Sequence, residues 1–74
     1  MGARDRLGGR VGAQIAHARR EQGWTQIQLA EVAGVSRPTV ARIEAGQQVG
    51  LAILVKVAEV LGLQVQVSVQ RVGE

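Results

Sequence analysis

Between Gln28 and Ala45, apolar residues fall into two short stripes separated by a glycine. Leu29, Ala30 and Ala33 precede Gly34, and Val35, Val40 and Ile43 resume the stripe beyond it. Spacings of three and four place side chains on one face of an α-helix. Gly34 stands where the chain must reverse, a position for a positive φ that glycine adopts at little steric cost. Ala30 is small where two short helices have to cross closely. The pattern predicts two short helices joined by a tight turn, the form of a helix-turn-helix.

The flanking segments extend this reading. A helical pattern over Gly9–Gln22 puts Val11, Ile15 and Ala18 on one face, with Gly23 as its stop. The glycines at 8, 9 and 12 weaken its start, at about 1 kcal/mol each against alanine. His17 lies beside the stripe, with no second histidine or nearby acid to pair with, and reads as a surface residue. Thr25 and Gln28 have the spacing of a capping box, and Trp24 with Leu29 that of a hydrophobic staple. The lone aromatic therefore reads as a core pin in preference to a base-stacking group. Ser36 is a good N-cap for the next helix, Pro38 suits its first turn, and Arg37, preceding a proline, marks the boundary. That helix runs to about Ala45 and stops at Gly46; Gln47–Gly50 is a polar loop. Leu51–Leu61 is again helical, with Leu51, Leu54, Ala58 and Leu61 on one face and Ile53, Val57 and Val60 off it.

At Leu63 the period changes. Leu63, Val65, Val67 and Val69 alternate with Gln64, Gln66, Ser68 and Gln70, a half-buried strand signal over Leu63–Arg71. A lone strand has an unpaired edge. The same strand of a second copy, antiparallel about a two-fold axis, is the obvious partner. The expected fold is thus all-α, with four to five short helices and a C-terminal β-strand that pairs across a dimer. The expected organisation is a flexible tail over 1–8, a helix-turn-helix domain over 9–62 and a dimerisation strand over 63–72.

Composition narrows the function. A chain of 74 residues without cysteine has neither disulfides nor thiolate metal sites, and it holds a single histidine. Small chains without such staples often gain burial by oligomerising, which favours a homodimer. The formal charge is +3, and eight of the nine cations are arginine, suited to phosphate and guanine. Arg4 and Arg6 in the tail can brush phosphates, though a solvated terminus is the simpler reading. No secretory signal is visible, and Leu51–Leu63 carries Lys56 and Glu59 and is too short to span a bilayer. The chain is expected to be cytoplasmic and nucleoid-associated. No acid–base pair, activated nucleophile or phosphate loop suggests an enzyme, and no cofactor or metal is expected.

In a helix-turn-helix the second helix enters the major groove with its N-terminal residues toward base edges. With Val40 and Ile43 inward, Arg37, Pro38, Ala41 and Arg42 are left outward. Arg37 and Arg42 can each reach O6 and N7 of a guanine, or else serve as phosphate contacts or solvated surface. Pro38 and Thr39 offer an apolar surface to a thymine methyl. Gln26 opens the first helix of the pair, where a side chain and the helix N-terminus can hold a phosphate.

Several motifs in the chain resemble the Cro/repressor-like (XRE) helix-turn-helix family, whose fold is lambda-repressor-like. They are Arg19, the G-W-T-Q of Gly23–Gln26, the L-A of Leu29–Ala30, the A-G-V-S of Ala33–Ser36 and the I-E-A-G of Ile43–Gly46. The likeness runs from Val11 to Leu63. It implies a structural ion pair between Arg19 and Glu44, with Arg19 close to the DNA backbone. It also implies base contacts from Ser36, Arg37, Pro38 and Arg42. Pro38 replaces a polar residue common in this family, which puts one hydrogen-bonded base contact in doubt. Ile27, apolar at a usually exposed position, is unexplained by DNA binding. K-V-A-E-V-L-G-L followed by an alternating strand looks like HipB-type antitoxins. In that group a dimer pairs its C-terminal strands, represses its own operon at a palindromic operator and binds a HipA-type toxin kinase. An exposed Ile27 or Val57 would suit such a partner. The other reading is a protein-interaction module that kept the fold without DNA binding.

Overall fold

In the computed structural model, which describes residues 3–73, four helices follow in order. They are α1 (Ala3–Glu21), α2 (Gln26–Ala33), α3 (Arg37–Glu44) and α4 (Leu51–Val60). Helix α3 packs against both α1 and α2, and α4 packs against α2. The local signals act as their chemistry predicts. Thr25 and Gln28 form a complete capping box at α2, with Gln28 N–H donating to Thr25 Oγ1 (3.1 Å) and Thr25 N–H to Gln28 Oε1 (2.8 Å). Gly34 is left-handed at φ 70°, and its N–H reaches back to the carbonyls of Ala30 and Glu31. Ser36 caps α3, and Pro38 occupies the first turn.

The core gathers Ile15, Leu29, Val40 and Val57, all essentially sealed from solvent, around Ala30, Ala33 and Ala58. Trp24, half-buried, packs against its edge. Gly12 is buried where α1 meets the end of α3. A Cβ there would lie 2.9 Å from the Glu44 carbonyl oxygen and closer still to that of Ile43. The glycine that looked like a defect of α1 is the point that lets two backbones touch.

Several expectations need correction. Helix α1 begins at Ala3, not near Gly9. Once a packed turn exists, each further residue extends it without a new nucleation cost, and the exposed Gly9 does not stop it. Met1 and Gly2 lie outside the described residues, as do the side chains of Arg4 and Arg6 and the phosphate contact considered for them. His17 does have an acid near it: its Nε2 is 3.4 Å from Glu21 Oε2, one turn on, and both side chains are exposed.

Helix α4 buries Ala58 and Leu61 and sets Leu54 against the core as expected, but its inner face takes in Val57 and leaves Leu51 out. Val57 is fully buried at 0% exposure and leaves no surface for a partner, whereas Leu51 is 52% exposed. Apolar residues cover most of this helix, so spacing cannot say where its inner face ends. The packing of α2 decides that.

Residues 63–73 form neither helix nor strand within the chain, and no strand occurs among the described residues. The strand expected over Leu63–Arg71 is therefore not formed here. A strand exists through its ladder, and no other segment among the described residues supplies an edge to pair with.

Candidate nucleic-acid interface

The outward side of α3 and the first turn of α2 hold the groups of interest. Val40 and Ile43 point into the core, fixing the rotation of α3. That leaves Arg37, Pro38 and Arg42 exposed and Ala41 half-buried. Pro38 and Arg42, four apart, lie one above the other. Among the described residues neither Arg37 nor Arg42 enters an ion pair. Both guanidiniums keep all their donors for something outside the fold.

Ser36 and Thr39 are already engaged. The Thr39 N–H donates to Ser36 Oγ at 3.3 Å, and the two hydroxyls lie 2.9 Å apart. The pair stiffens the first turn of α3, the turn that carries Arg37 and Pro38.

Glu44 is the hub behind this surface. Its Oε2 accepts from Arg19 Nε at 2.7 Å, and its Oε1 accepts from Arg19 Nη2 at 3.0 Å and Gln26 Nε2 at 3.1 Å. Arg19 Nη1 also donates to the Trp24 carbonyl at 2.8 Å. One guanidinium thus ties α1, the loop before α2 and the end of α3 together, with side-chain exposures of only 11% and 8% for Arg19 and Glu44. Gln26 is turned inward to Glu44 and the Gln28 N–H is capped by Thr25, so the backbone N–H groups of Gln26 and Ile27 are the donors left at the start of α2.

Burial pushes the Glu44 carboxyl up, but the hydrogen bonds from Arg19 and Gln26 and the charges of Arg19 and Arg20 outweigh it and hold it below the usual carboxylate range. The hydrogen bond to Glu44 in turn raises Arg19. Because the folded carboxyl is the stronger acid, its contribution to stability is complete above the ordinary value of 4.5 and is lost as pH falls below that. Glu44→Gln is expected to cost about 3 kcal/mol near neutral pH, since it leaves the mostly buried Arg19 without its counter-charge. Urea unfolding of both proteins at neutral and acid pH checks this: their difference should shrink on acidification.

Sequence reasoning missed the neighbours of Arg42. An open groove beside it is lined by Thr39, Gln48, Val49, Gly50 and Ile53. Gly50 is the N-cap of α4 and has no side chain to cap with, so the first N–H groups of α4 border this groove uncapped. A glycine after the polar Gln47–Gln48 pair was the available signal.

The sequence model of the helix-turn-helix family matches residues 15–67, from the middle of α1 into the C-terminal segment. No curated protein sequence matches the chain. No helix among the described residues is long and apolar enough to cross a membrane.

Proposed function

We propose, on the premise that this chain belongs to the Cro/repressor-like (XRE) helix-turn-helix family of DNA-binding regulators, that it is a homodimeric repressor reading a palindromic operator. The observation that carries this reading is the α3 face of Arg37, Pro38 and Arg42, exposed and without internal ion pairs, on a helix held at both ends by Ser36 and Glu44. Arg37 and Arg42 contact base edges. Pro38 and the Thr39 methyl present an apolar surface to a thymine methyl. The N-termini of α2 and α4 face phosphates, with Arg19 behind that of α2. Two copies set their α3 helices in successive major grooves, roughly 34 Å apart.

A gel shift of the promoter DNA of its own operon tests the reading. Retardation at low salt that weakens steeply as salt rises is expected, because neutralised phosphates release counterions. A folded protein that does not retard this DNA at low salt overturns it.

The dimer is supported by the alternating Leu63–Val69 segment, whose backbone has no ladder partner among the described residues. Val67→Asp should give a monomer in analytical ultracentrifugation with the helical core still folded, since Val67 is 63% exposed in the single chain. Persistence of the dimer would move the interface to another surface. The antitoxin role, with a HipA-type kinase as partner, rests on the likeness of the tail. Co-purification with the product of a neighbouring reading frame tests it. The interaction-module reading draws support from Ile27 and Val32, 57% and 53% exposed on α2.

A further inference from the structure

The C-terminal segment has a symmetry that specifies how two copies meet. Around Gln66, the order of apolar and polar residues is the same read in either direction: Leu63, Gln64, Val65, then Gln66, then Val67, Ser68, Val69. An isologous contact needs a self-complementary patch, and an antiparallel strand pair needs matching partners at equal distances from the axis. A two-fold through Gln66 pairs the apolar residues of this stretch among themselves: Leu63 with the second copy's Val69, and Val65 with its Val67. An axis through Val65 would need Leu61, buried at the C-cap of α4, opposite Val69. An axis through Val67 would instead set Leu63 opposite Arg71, and an odd offset would put valines opposite glutamines.

The structure adds a second observation. Leu63 and Val65 are half-buried, while Val67 and Val69 are 63% and 92% exposed, so the apolar side of the segment runs off the end of its own core. Beside Leu63 and Val65 lies a partly open groove of about 170 Å³ between α1 and α4, bordered by Val11, Ile15, Leu54 and Ala58 and, on its polar side, by Gln14, Gln64 and Gln66. A void of about 150 Å³ accommodates a group the size of benzene, so a branched aliphatic side chain fits. In the Gln66-centred register the residues set against Leu63 and Val65 are the second copy's Val69 and Val67. The overhang of each copy lies where the other has its groove.

We infer that the α1–α4 groove is the docking site for a second copy's Val67 and Val69, in an antiparallel ladder with Gln66 on the two-fold axis. This deepens the dimer reading above and rests on it. The interface then covers part of α1 as well as the tail, which couples the relative orientation of the two α3 helices to the core and not to a flexible tether.

The chain has no cysteine, so single-cysteine variants report the register directly. A disulfide requires Cα atoms within about 7 Å. Gln66→Cys, at an exposed polar position, should cross-link under mild oxidation and run as a covalent dimer on a non-reducing gel. Val67→Cys alone should not cross-link, because two residues of offset along each strand carry its partner out of reach. An equimolar mixture of Val65→Cys and Val67→Cys should give the cross-linked heterodimer. Sedimentation of the unmodified chain separates the possible failures. A monomer removes the dimer reading and this inference together. A dimer in which Val67→Cys cross-links and Gln66→Cys does not overturns the register alone. A dimer in which neither cross-links places the interface away from the segment and overturns the docking site.

Discussion

Gly12→Ala is expected to destabilise the fold by about 3 kcal/mol, although alanine is the better helix former by about 1 kcal/mol. The added methyl would meet the backbone carbonyls of Ile43 and Glu44, and backbone cannot rotate aside as a side chain can. Helices α1 and α3 must separate, which loosens the Ile15–Val40–Ile43 contact and moves Arg19 away from Glu44. Gly9→Ala is the matched control. It lies in the same helix with nothing within 4 Å of the added atom, so it should stabilise by about 0.5–1 kcal/mol. For a domain this size, 1 kcal/mol moves Tm by roughly 4–8 °C. Thermal melts of the two variants should therefore shift in opposite directions. Equal shifts of the same sign would mean that α1 and α3 do not touch at Gly12.

Arg37→Ala with Arg42→Ala is expected to remove operator binding at physiological salt while leaving the melt nearly unchanged. Both side chains are exposed, and surface changes away from caps and cores usually alter stability by less than about 0.5 kcal/mol. Each bidentate arginine–guanine pair is worth about 1–3 kcal/mol, so two such pairs correspond to a loss of roughly 30-fold to 10⁴-fold in affinity. The single variants distinguish base contact from phosphate contact. A base-reading arginine, once removed, relaxes preference at one position of the site. A phosphate-contacting arginine weakens all sequences alike and flattens the salt dependence. Titration of operator and scrambled DNA at several salt concentrations makes the distinction. Unchanged operator affinity in the double variant would favour the interaction-module reading, with Ile27 and Val32 as its surface.

Much of this protein is local and hence legible. Capping boxes, N-caps and left-handed glycines act over four or five residues, so Thr25, Gln28, Gly34 and Ser36 could be assigned from spacing, and each does what its chemistry requires. Three residues misled for one physical reason. Gly12, Val57 and Leu51 take their roles from what lies across from them, and helix propensity and periodicity describe a helix without its neighbours. Glu44 is an intermediate case. Its link to Arg19 came through family likeness, while its hold on Gln26 appears only when α2 and α3 are set side by side.

The sequence by itself determined the caps of α2 and α3, which stripe of each turns inward, and hence that Arg37 and Arg42 face out. These follow from backbone geometry and from the period of the apolar residues. The tertiary structure alone decided that Val57 of α4 is inside and Leu51 outside, the closeness of α1 to α3, the hold of Glu44 on Gln26 and the groove between α1 and α4. Each depends on residues far apart in the chain, whose contact no local rule encodes. The segment from Leu63 onward belongs to neither level: its alternation suits a strand, but a ladder needs a second edge, and the described residues offer none.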